Sequence, residues 1–320
     1  MNRLPWYTFF ALCCSFSSCL TEADPQQDNY WSTHVPFRVS YNTFSMPVTE
    51  KWIPLPENLG AVPLSEASGL AYSYQNPGKI WTHQDSGNTN ILFLLDSETA
   101  EIVAKYRIEG TVNIDWEDIE VSFGPEENIT YLYISDTGDN NLRRNQYTVY
   151  RIKEPVFEEA HRGQTITLSN LELDQIDFDY PDGSHDAEGL MVDPETLDIF
   201  LTTKRSTFSK LYVLPYPQEN GVRNEAVFAG EFGFRDSSAA TTNLQGDKVL
   251  IKNRQEIFFW ERQMGETMVE MLARTPLRAP YIGEPQGEAI CLDPNNNYFT
   301  LSEELNSSTP PNLYKYLLSN

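Results

Sequence analysis

Five short copies of one motif hold most of the residues of this sequence that could do chemistry. At one aligned position the copies carry Glu three times and Ser twice, with separations of 49, 71, 50 and 50 residues. In chain order these residues are Ser68, Glu117, Glu188, Ser238 and Glu288. Carboxylate and hydroxyl oxygens gathered in one place suit a hard cation such as Ca²⁺, which takes about 6–8 oxygen ligands. Because no His or Cys shares the position, the pattern argues against Zn²⁺.

The elements that must position these residues are short strands. Each copy precedes an apolar run, a second strand that ends in polar residues, and a third strand. Repeats of about 40–50 residues with four short strands are typical of propeller blades. We therefore predict an all-β protein, a β-propeller of four-stranded blades, with five blades favoured. Six is the alternative, because the 71-residue unit could contain a degenerate blade.

Two fourth strands are clear in the sequence, at residues 102–108 and 165–171. The last unit ends before a fourth strand could form, so we expect residues 51–55 to supply it and close the ring. Closure of the ring would remove exposed sheet edges.

The first strand of each propeller blade lines the central channel, so the five aligned residues should meet around one axis. Three carboxylates there would repel one another, and a bound Ca²⁺ would relieve the repulsion. Two alternatives remain. The acids could be protonated or paired with Lys and Arg, or the repeat could mark only the starts of strands.

The order Ser, Glu, Glu, Ser, Glu over five blades resembles the calcium-activated nucleotidase (apyrase) family, whose blade starts are similar to Ala187-Glu188-Gly189. That resemblance implies five blades, with the five aligned residues as Ca²⁺ ligands. The chain also resembles uncharacterised bacterial propeller lipoproteins that carry Ser-Gly-Leu and Asp-Trp-Glu-Asp. A looser likeness links it to gluconolactonase-type and phytase-like propellers. These relatives agree on metal and architecture but differ in substrate.

The ends of the second strands form a further set of candidates. They are Asp85, Asp136, Lys204, Arg254 and Glu303. Lys204 and Arg254 could bind a phosphate or carboxylate of a substrate. Asp85, Asp136 or Glu303 could act as general base, and His83 and His185 are further acid–base candidates. Alternatively, these charges lie at loop tips or form internal ion pairs. Residues 136–141 are interpreted as a tight turn.

The N-terminus is typical of an exported chain. A basic Arg3, an apolar run and Ser17-Ser18 precede Cys19. This resembles the relaxed lipoprotein box of Bacteroidetes, which implies a signal peptide over residues 1–18, lipidation (palmitate) of Cys19 and sorting to the outer membrane. A cleaved secretory peptide without lipid is the alternative. We assign residues 19–50 to the lipidated Cys and a polar tether, and residues 51–320 to the propeller. Cys291 then has no disulfide partner and is expected to be a small buried residue.

The net charge of −23 disfavours binding to nucleic acid or anionic lipid, so the membrane would be contacted only through the lipid on Cys19. The motifs of serine hydrolases, zincins and nucleotide-cofactor enzymes are absent from the sequence. Two functional hypotheses follow for a monomer. One is a calcium-dependent hydrolase of a small anionic substrate, either a phosphoester, a nucleotide or a lactone. The other is a non-enzymatic surface propeller with structural calcium that binds a glycan or protein.

Overall fold

Residues 30–169, 171–304 and 310–319 are described by the structure, a computed structural model. Within these residues the strands form five sheets of four or five strands each. Each inner strand lies beside the inner strands of two other sheets, and the fifth contacts the first. The protein is therefore a five-bladed β-propeller, which confirms the predicted fold.

Each blade has four antiparallel strands, named here from the channel outward. The inner strands of blades 1 to 5 are Ala67–Tyr72, Trp116–Phe123, Asp186–Val192, Ala239–Thr242 and Gly287–Leu292. The second strands are Lys79–Gln84, Thr130–Asp136, Ile199–Lys204, Lys248–Lys252 and Tyr298–Ser302. The third strands are Ile91–Asp96, Tyr147–Lys153, Lys210–Leu214, Ile257–Glu261 and Asn312–Tyr316. The outer strands are Ile102–Ile108, Leu173–Asp179, Val227–Glu231, Leu277–Ala279 and Glu57–Ala61.

Hydrophobic side chains fill the interface between each pair of neighbouring blades, because strands that are covered on both faces carry apolar residues on both. One pair of buried contributors from each interface illustrates the ring: Trp81 with Ile134, Tyr133 with Leu190, Met191 with Ile251, Leu250 with Ile290, and Leu70 with Cys291. Cys291 is a buried free thiol, as predicted.

The ring closes slightly later in the sequence than predicted. Glu57–Ala61, rather than residues 51–55, pairs with the third strand of blade 5. Trp52 forms only an isolated bridge with Leu318. Pro54 and Pro56 have no N–H to donate to a strand ladder, so the continuous strand starts after them.

The described residues of the long second unit contain no sixth blade. Its extra residues form a 3-10 turn, Glu159–His161, and a strand, Thr165–Leu168, which pairs in parallel with the outer strand of blade 1. The prediction that residues 165–171 form the fourth strand of blade 2 is therefore wrong. Leu173–Asp179 takes that place.

Three shorter elements and part of the expected tether complete the description. Asn224–Glu225 extends blade 2, Thr43–Ser45 is a 3-10 turn, and Met268–Leu272 is a one-turn α-helix. Phe37–Arg38 adds a parallel strand to the outer edge of blade 3, so residues 30–50 lie along the propeller side. None of the helices in the described residues is long and apolar enough to cross a membrane.

Candidate metal centre

A β-bulge at the start of the inner strand positions each of the three predicted glutamates. In blades 2, 3 and 5 the inner strand advances by two residues while its partner advances by one, and the extra residue is Glu117, Glu188 or Glu288. A bulge frees a residue from the ladder and redirects its side chain, which is why bulges occur next to functional sites.

The two predicted serines are placed differently. In blade 1 the extra residue of the bulge is Gly69, and Ser68 precedes it. The Ser68 hydroxyl donates to the carbonyl of Glu117 at 2.5 Å, and the Ser238 hydroxyl donates to the carbonyl of Gly287 at 2.9 Å. Each serine therefore joins its blade to the next one. Their role as ligands stays a prediction.

The structure brings together five carboxyl groups, which we call the carboxylate cluster. Its members are Asp85, Asp115, Glu117, Asp186 and Glu188. One oxygen from each of Asp85, Asp115 and Glu117 lies within 4.8 Å of the others, and the same holds for Glu117, Asp186 and Glu188. Glu117 therefore links two triads. Four of the five members are at most 9% exposed. They are Glu117, Asp186 and Glu188, in the inner strands of blades 2 and 3, and Asp115, which immediately precedes the inner strand of blade 2.

Sequence reasoning missed Asp115 and Asp186, although both belong to the repeat. The residue two positions before the aligned Ser or Glu is acidic in four of the five copies. These residues are Glu66, Asp115, Asp186 and Asp236, with Gln286 in the fifth copy. This second position, repeated along the chain, is the sequence feature that could have identified Asp115 and Asp186 as ligand candidates.

Asp115 is held at the cluster by a close approach of the chain. The backbone N–H of Gly138 donates to the Asp115 carbonyl at 3.1 Å. A Cβ at Gly138 would overlap Glu117 Oε1 and the Asp115 carboxyl group. Only glycine therefore leaves these two carboxyl groups in their positions. The loop continues into a turn in which the Leu142 N–H donates to the Asp139 carbonyl at 2.8 Å.

The cluster holds more negative charge than its surroundings stabilise. Burial and the Asp85 carboxylate raise the pKa of Asp115 to about 7. Burial, with repulsion from Glu188, raises the pKa of Glu117 well above its usual value. Asp115 Oδ1 is buried and has no hydrogen-bond partner among the described residues. An oxygen of this kind is costly unless a proton or a cation satisfies it.

Two cationic side chains pair with the predicted glutamates of blades 3 and 5. Lys204 Nζ is paired with Glu188 and lies 3.4 Å from Glu288 Oε1. Arg254 Nη2 lies 2.8 Å from Glu288 Oε1. Burial opposes the charge on Lys204, yet the carboxylates of Glu188 and Glu288 raise its pKa above the usual value. Glu288 is therefore neutralised by side chains of this chain.

Glu303 lies beside this charged region, and its carboxyl group has a pKa near neutral pH. Burial, Glu288 and Asp85 together raise the pKa of Glu303 to about 7. Gln286 Nε2 donates to Glu303 Oε2 at 3.0 Å. Asp85 also has a raised pKa, mainly because of burial. Glu303, one of the predicted general bases, therefore lies close enough to the cluster member Asp85 for the two charges to interact.

Asp136 supports the cluster from behind. Its carboxylate accepts the N–H groups of Ile114 and Asp115 at 3.1 and 3.2 Å and pairs with Arg144 at 2.9 Å. These bonds hold the backbone that precedes the inner strand of blade 2. With its oxygens so engaged, Asp136 has the geometry of a positioning residue.

The two histidines have other partners. His185 Nε2 lies 2.8 Å from Asp182 Oδ1 and 2.7 Å from the Tyr212 hydroxyl, and its ring contacts Tyr180. His83 is fully buried against Trp116, and burial lowers its pKa to about 4. Their bonds and ring contacts within the described chain do not connect either imidazole to the carboxylate cluster.

Asp118 joins the inner strands around the channel. Its Oδ2 accepts the backbone N–H groups of Leu190 in blade 3 and Ala240 in blade 4, at 2.9 and 3.1 Å. Its Oδ1 accepts a hydrogen bond from the backbone N–H of the next residue, Ile119, at 2.9 Å. One buried carboxylate thus fixes three blades relative to one another next to Glu117.

The donor set of the cluster fits a hard cation. It offers carboxylate oxygens alone, one of which has no partner among the residues described, and Gly138 leaves room for their approach. Asp85, Asp115, Glu117, Asp186 and Glu188 would hold the ion. Glu288 belongs to neither triad and is paired with Lys204 and Arg254.

No protein-family model and no curated protein matches this sequence. Similar solved structures include a gluconolactonase from Xanthomonas campestris, at 10% identity over 89% of this chain and 95% of that one, with a TM-score of 0.46. A glucose dehydrogenase matches at 10% identity over 83% and 100%, with a TM-score of 0.47. A calcium structure of Trichoderma reesei Carbohydrate-Active Enzymes Family AA12 matches at 10% over 88% and 100%, also at 0.47. What this chain does must be derived from its own site.

Proposed function

We propose that the protein is a calcium-dependent hydrolase of a small anionic substrate, either a phosphoester, a nucleotide or a lactone. The observation that carries this proposal is the carboxylate cluster at the start of the inner strands of blades 2 and 3. Inside it, Asp115 Oδ1 has no hydrogen-bond partner in the part of the chain that the structure describes. The all-oxygen donor set favours Ca²⁺. The resemblance of the motif order to calcium-activated nucleotidases supports the phosphoester and nucleotide classes.

The side chains around the cluster have suitable chemistry for hydrolysis. A bound Ca²⁺ would supply positive charge that polarises the bond to be cleaved. Glu303, with a pKa of about 7, can accept a proton from an attacking water and return it near neutral pH. Asp85 is the second candidate base. Lys204 and Arg254 both lie next to Glu288, beside the cluster, and would bind the anionic part of the substrate.

Calcium binding can be tested by thermal unfolding of the protein in EDTA and across a Ca²⁺ titration. At 100 times its dissociation constant, Ca²⁺ should add about 2.7 kcal/mol to the free energy of unfolding. Glu117→Gln should abolish this gain, because Glu117 belongs to both triads. Glu120→Gln is a matched control on the same inner strand. Glu120 is also buried, burial raises its pKa, and it belongs to neither triad.

The proposal fails if protein freed of metal shows no stabilisation, or if both variants respond to Ca²⁺ equally. Hydrolysis is then tested with phosphomonoester, nucleotide and lactone substrates in EDTA and in Ca²⁺. Glu303→Gln should lower the rate at neutral pH while leaving the calcium stabilisation in place. Equal rates in Glu303→Gln and the unsubstituted protein would remove Glu303 from the mechanism.

A non-enzymatic surface propeller is the second candidate, and the ion pairs of Lys204 favour it. Because Lys204 already neutralises Glu188 and Glu288, the ring also has the character of a structural ion-pair network. In that case Ca²⁺ would stabilise the protein without any hydrolysis, and a glycan or protein would bind to the propeller face. Calcium stabilisation with no turnover of any substrate class would support this candidate.

We also propose that the protein is an outer-membrane lipoprotein that acts as a monomer. The support comes from the sequence around Cys19, which lies outside the described residues. Metabolic labelling with a palmitate analogue should mark the unsubstituted protein and leave Cys19→Ala unlabelled. Label on both proteins, or on neither, would contradict the lipidation.

A further inference from the structure

A cationic pocket of about 310 Å³ adjoins the carboxylate cluster between blades 3 and 4. Its lining includes Lys204, Arg205, Arg235 and Arg254, together with Asp236 and Asn253. The chain has 46 acidic residues against 23 basic ones, so four cations around one pocket depart sharply from the average surface.

Two of these cations pair with members of the cluster. Lys204 pairs with Glu188, and Arg205 Nε lies 2.5 Å from Asp186 Oδ2. Glu188 and Asp186 form the second triad with Glu117. The carboxylates of the triad are thus paired with two cations of the pocket. A metal cation that binds to the triad must therefore compete with Lys204 and Arg205.

Arg235 differs from its neighbours. Its side chain is exposed, and it has no carboxylate partner within the part of the chain that the structure describes. Asn253 Nδ2 donates to the Arg235 carbonyl at 3.1 Å, which fixes the backbone at the pocket rim. Its guanidinium group is anchored to the rim only through this backbone, and its planar donors suit the oxygens of a phosphate or sulfate.

We infer that this pocket is a binding site for a phosphate or sulfate group, and that its affinity is coupled to cation binding at the triad of Glu117, Asp186 and Glu188. A cation bound to the triad takes over the charge that now holds Lys204 and Arg205. These two side chains then become available, with Arg235, to the oxygens of the anion. This inference rests on the metal site of the proposed function and adds the substrate group and its coupling to the metal.

The coupling predicts reciprocal effects, because linkage between two ligands acts equally on both affinities. Isothermal titration calorimetry with methyl phosphate, in EDTA and in saturating Ca²⁺, measures one direction at matched ionic strength. Calcium titration with and without methyl phosphate measures the other. We expect each ligand to raise the affinity of the other about tenfold, within the usual range for coupled sites. Sulfate should compete with methyl phosphate, whereas acetate should compete weakly.

Two substitutions separate this arrangement from simple binding of the anion to the metal. Arg205→Gln should tighten Ca²⁺ binding, because it removes a competing cation, and should weaken methyl phosphate binding. Arg235→Gln should weaken methyl phosphate binding about tenfold or more and leave Ca²⁺ affinity unchanged. Arg143→Gln is the control, since Arg143 is exposed and lies outside the pocket. All three side chains are exposed, so the variants should fold.

The outcomes distinguish the inference from the proposed function. Absence of Ca²⁺ binding to the unsubstituted protein would overturn both. Calcium binding with equal methyl phosphate affinity in EDTA and in Ca²⁺ would overturn the coupling alone. If Arg205→Gln weakened both ligands, or if Arg235→Gln behaved like Arg143→Gln, the anion would bind elsewhere and the pocket assignment would be wrong.

Discussion

At the scale of single residues, the candidate centre depends on how the repulsion between buried carboxylates is compensated, by protons or by a cation. Carboxylate oxygens of Asp115 and Glu117 lie within 4.8 Å of each other, and both groups have raised pKa values. Gly138 packs against both carboxyl groups. Paired carboxyl groups of this kind share protons unless a cation replaces them. Glu303 and Asp85 belong to the same electrostatic system, so the charge state of one affects the others.

Gly138→Ala tests this residue-level packing. The new Cβ would overlap Glu117 Oε1 and the Asp115 carboxyl group, so we expect a loss of about 1–3 kcal/mol in the free energy of unfolding. The calcium-induced stabilisation should also decrease, because the two carboxyl groups would be forced apart. Urea unfolding in EDTA and in Ca²⁺ measures both effects. Asn141→Ala, an exposed position in the same loop, should change neither.

At the scale of elements, bulges and added strands arrange the site and its support. The bulges direct Glu117, Glu188 and Glu288 out of the ladders, and the carboxylate of Asp118 holds three inner strands together. On the outside, residues 30–50 cover blades 3 and 4. Trp31 is 8% exposed within the core between these blades.

Trp31→Ala tests whether this N-terminal segment stabilises the fold. The Trp31 ring packs against Phe200 and its Nε1 donates to Asp198 at 3.0 Å. Large-to-small substitutions of buried aromatic residues cost about 3–5 kcal/mol, so we expect a loss of that size in the free energy of unfolding. Phe44→Ala is the control, because Phe44 is in the same segment and 85% exposed. Equal, small effects of both variants would mean that the segment is only a tether.

At the scale of the whole molecule, ring closure and charge decide stability. Five interfaces of similar construction close the propeller, so each blade is held from both sides. The net charge of −23 acts against the compact state, and the cluster concentrates part of that charge near the channel. Stability should therefore depend on pH and on Ca²⁺ together.

The sign of the pH dependence follows from the raised pKa values. Asp115 and Glu303 have pKa values of about 7 in the folded protein, against about 4 for such groups in an unfolded chain. The folded state thus holds protons that the unfolded state has released, and in EDTA the free energy of unfolding should fall as pH rises through 7. Below about pH 6.5 the neutral, buried His83 acts in the opposite direction, because protonation then favours the unfolded chain.

The measurement is urea unfolding between about pH 6.5 and 8 in EDTA and in Ca²⁺. Calcium should remove most of the decline, since it compensates the carboxylates as they ionise. Glu303→Gln should show a shallower decline in EDTA because one of the groups with a raised pKa is gone. A free energy of unfolding that rises with pH in EDTA would contradict the assigned pKa shifts.

The sequence by itself determined the propeller class, with five blades favoured over six, and the approximate position of the glutamates. The repeat spacing specifies equivalent strands, and equivalent strands of a closed ring must meet around one axis. It also identified Lys204 and Arg254 as unusual charges near that axis. The spacing of Asp115 and Asp186 before Glu117 and Glu188 was present in the sequence too, but it gains meaning only when the bulges are known.

The tertiary structure alone decided where sheet edges and ion pairs form. A short β-rich run such as Thr165–Leu168 suits any open edge, and its sequence does not specify that it joins blade 1. The pairing of Lys204 with Glu188 and of Arg205 with Asp186 depends on how neighbouring loops are oriented. Periodicity records which face of a strand is apolar, whereas the partner of an edge or a charge depends on the packing of residues far apart in the chain.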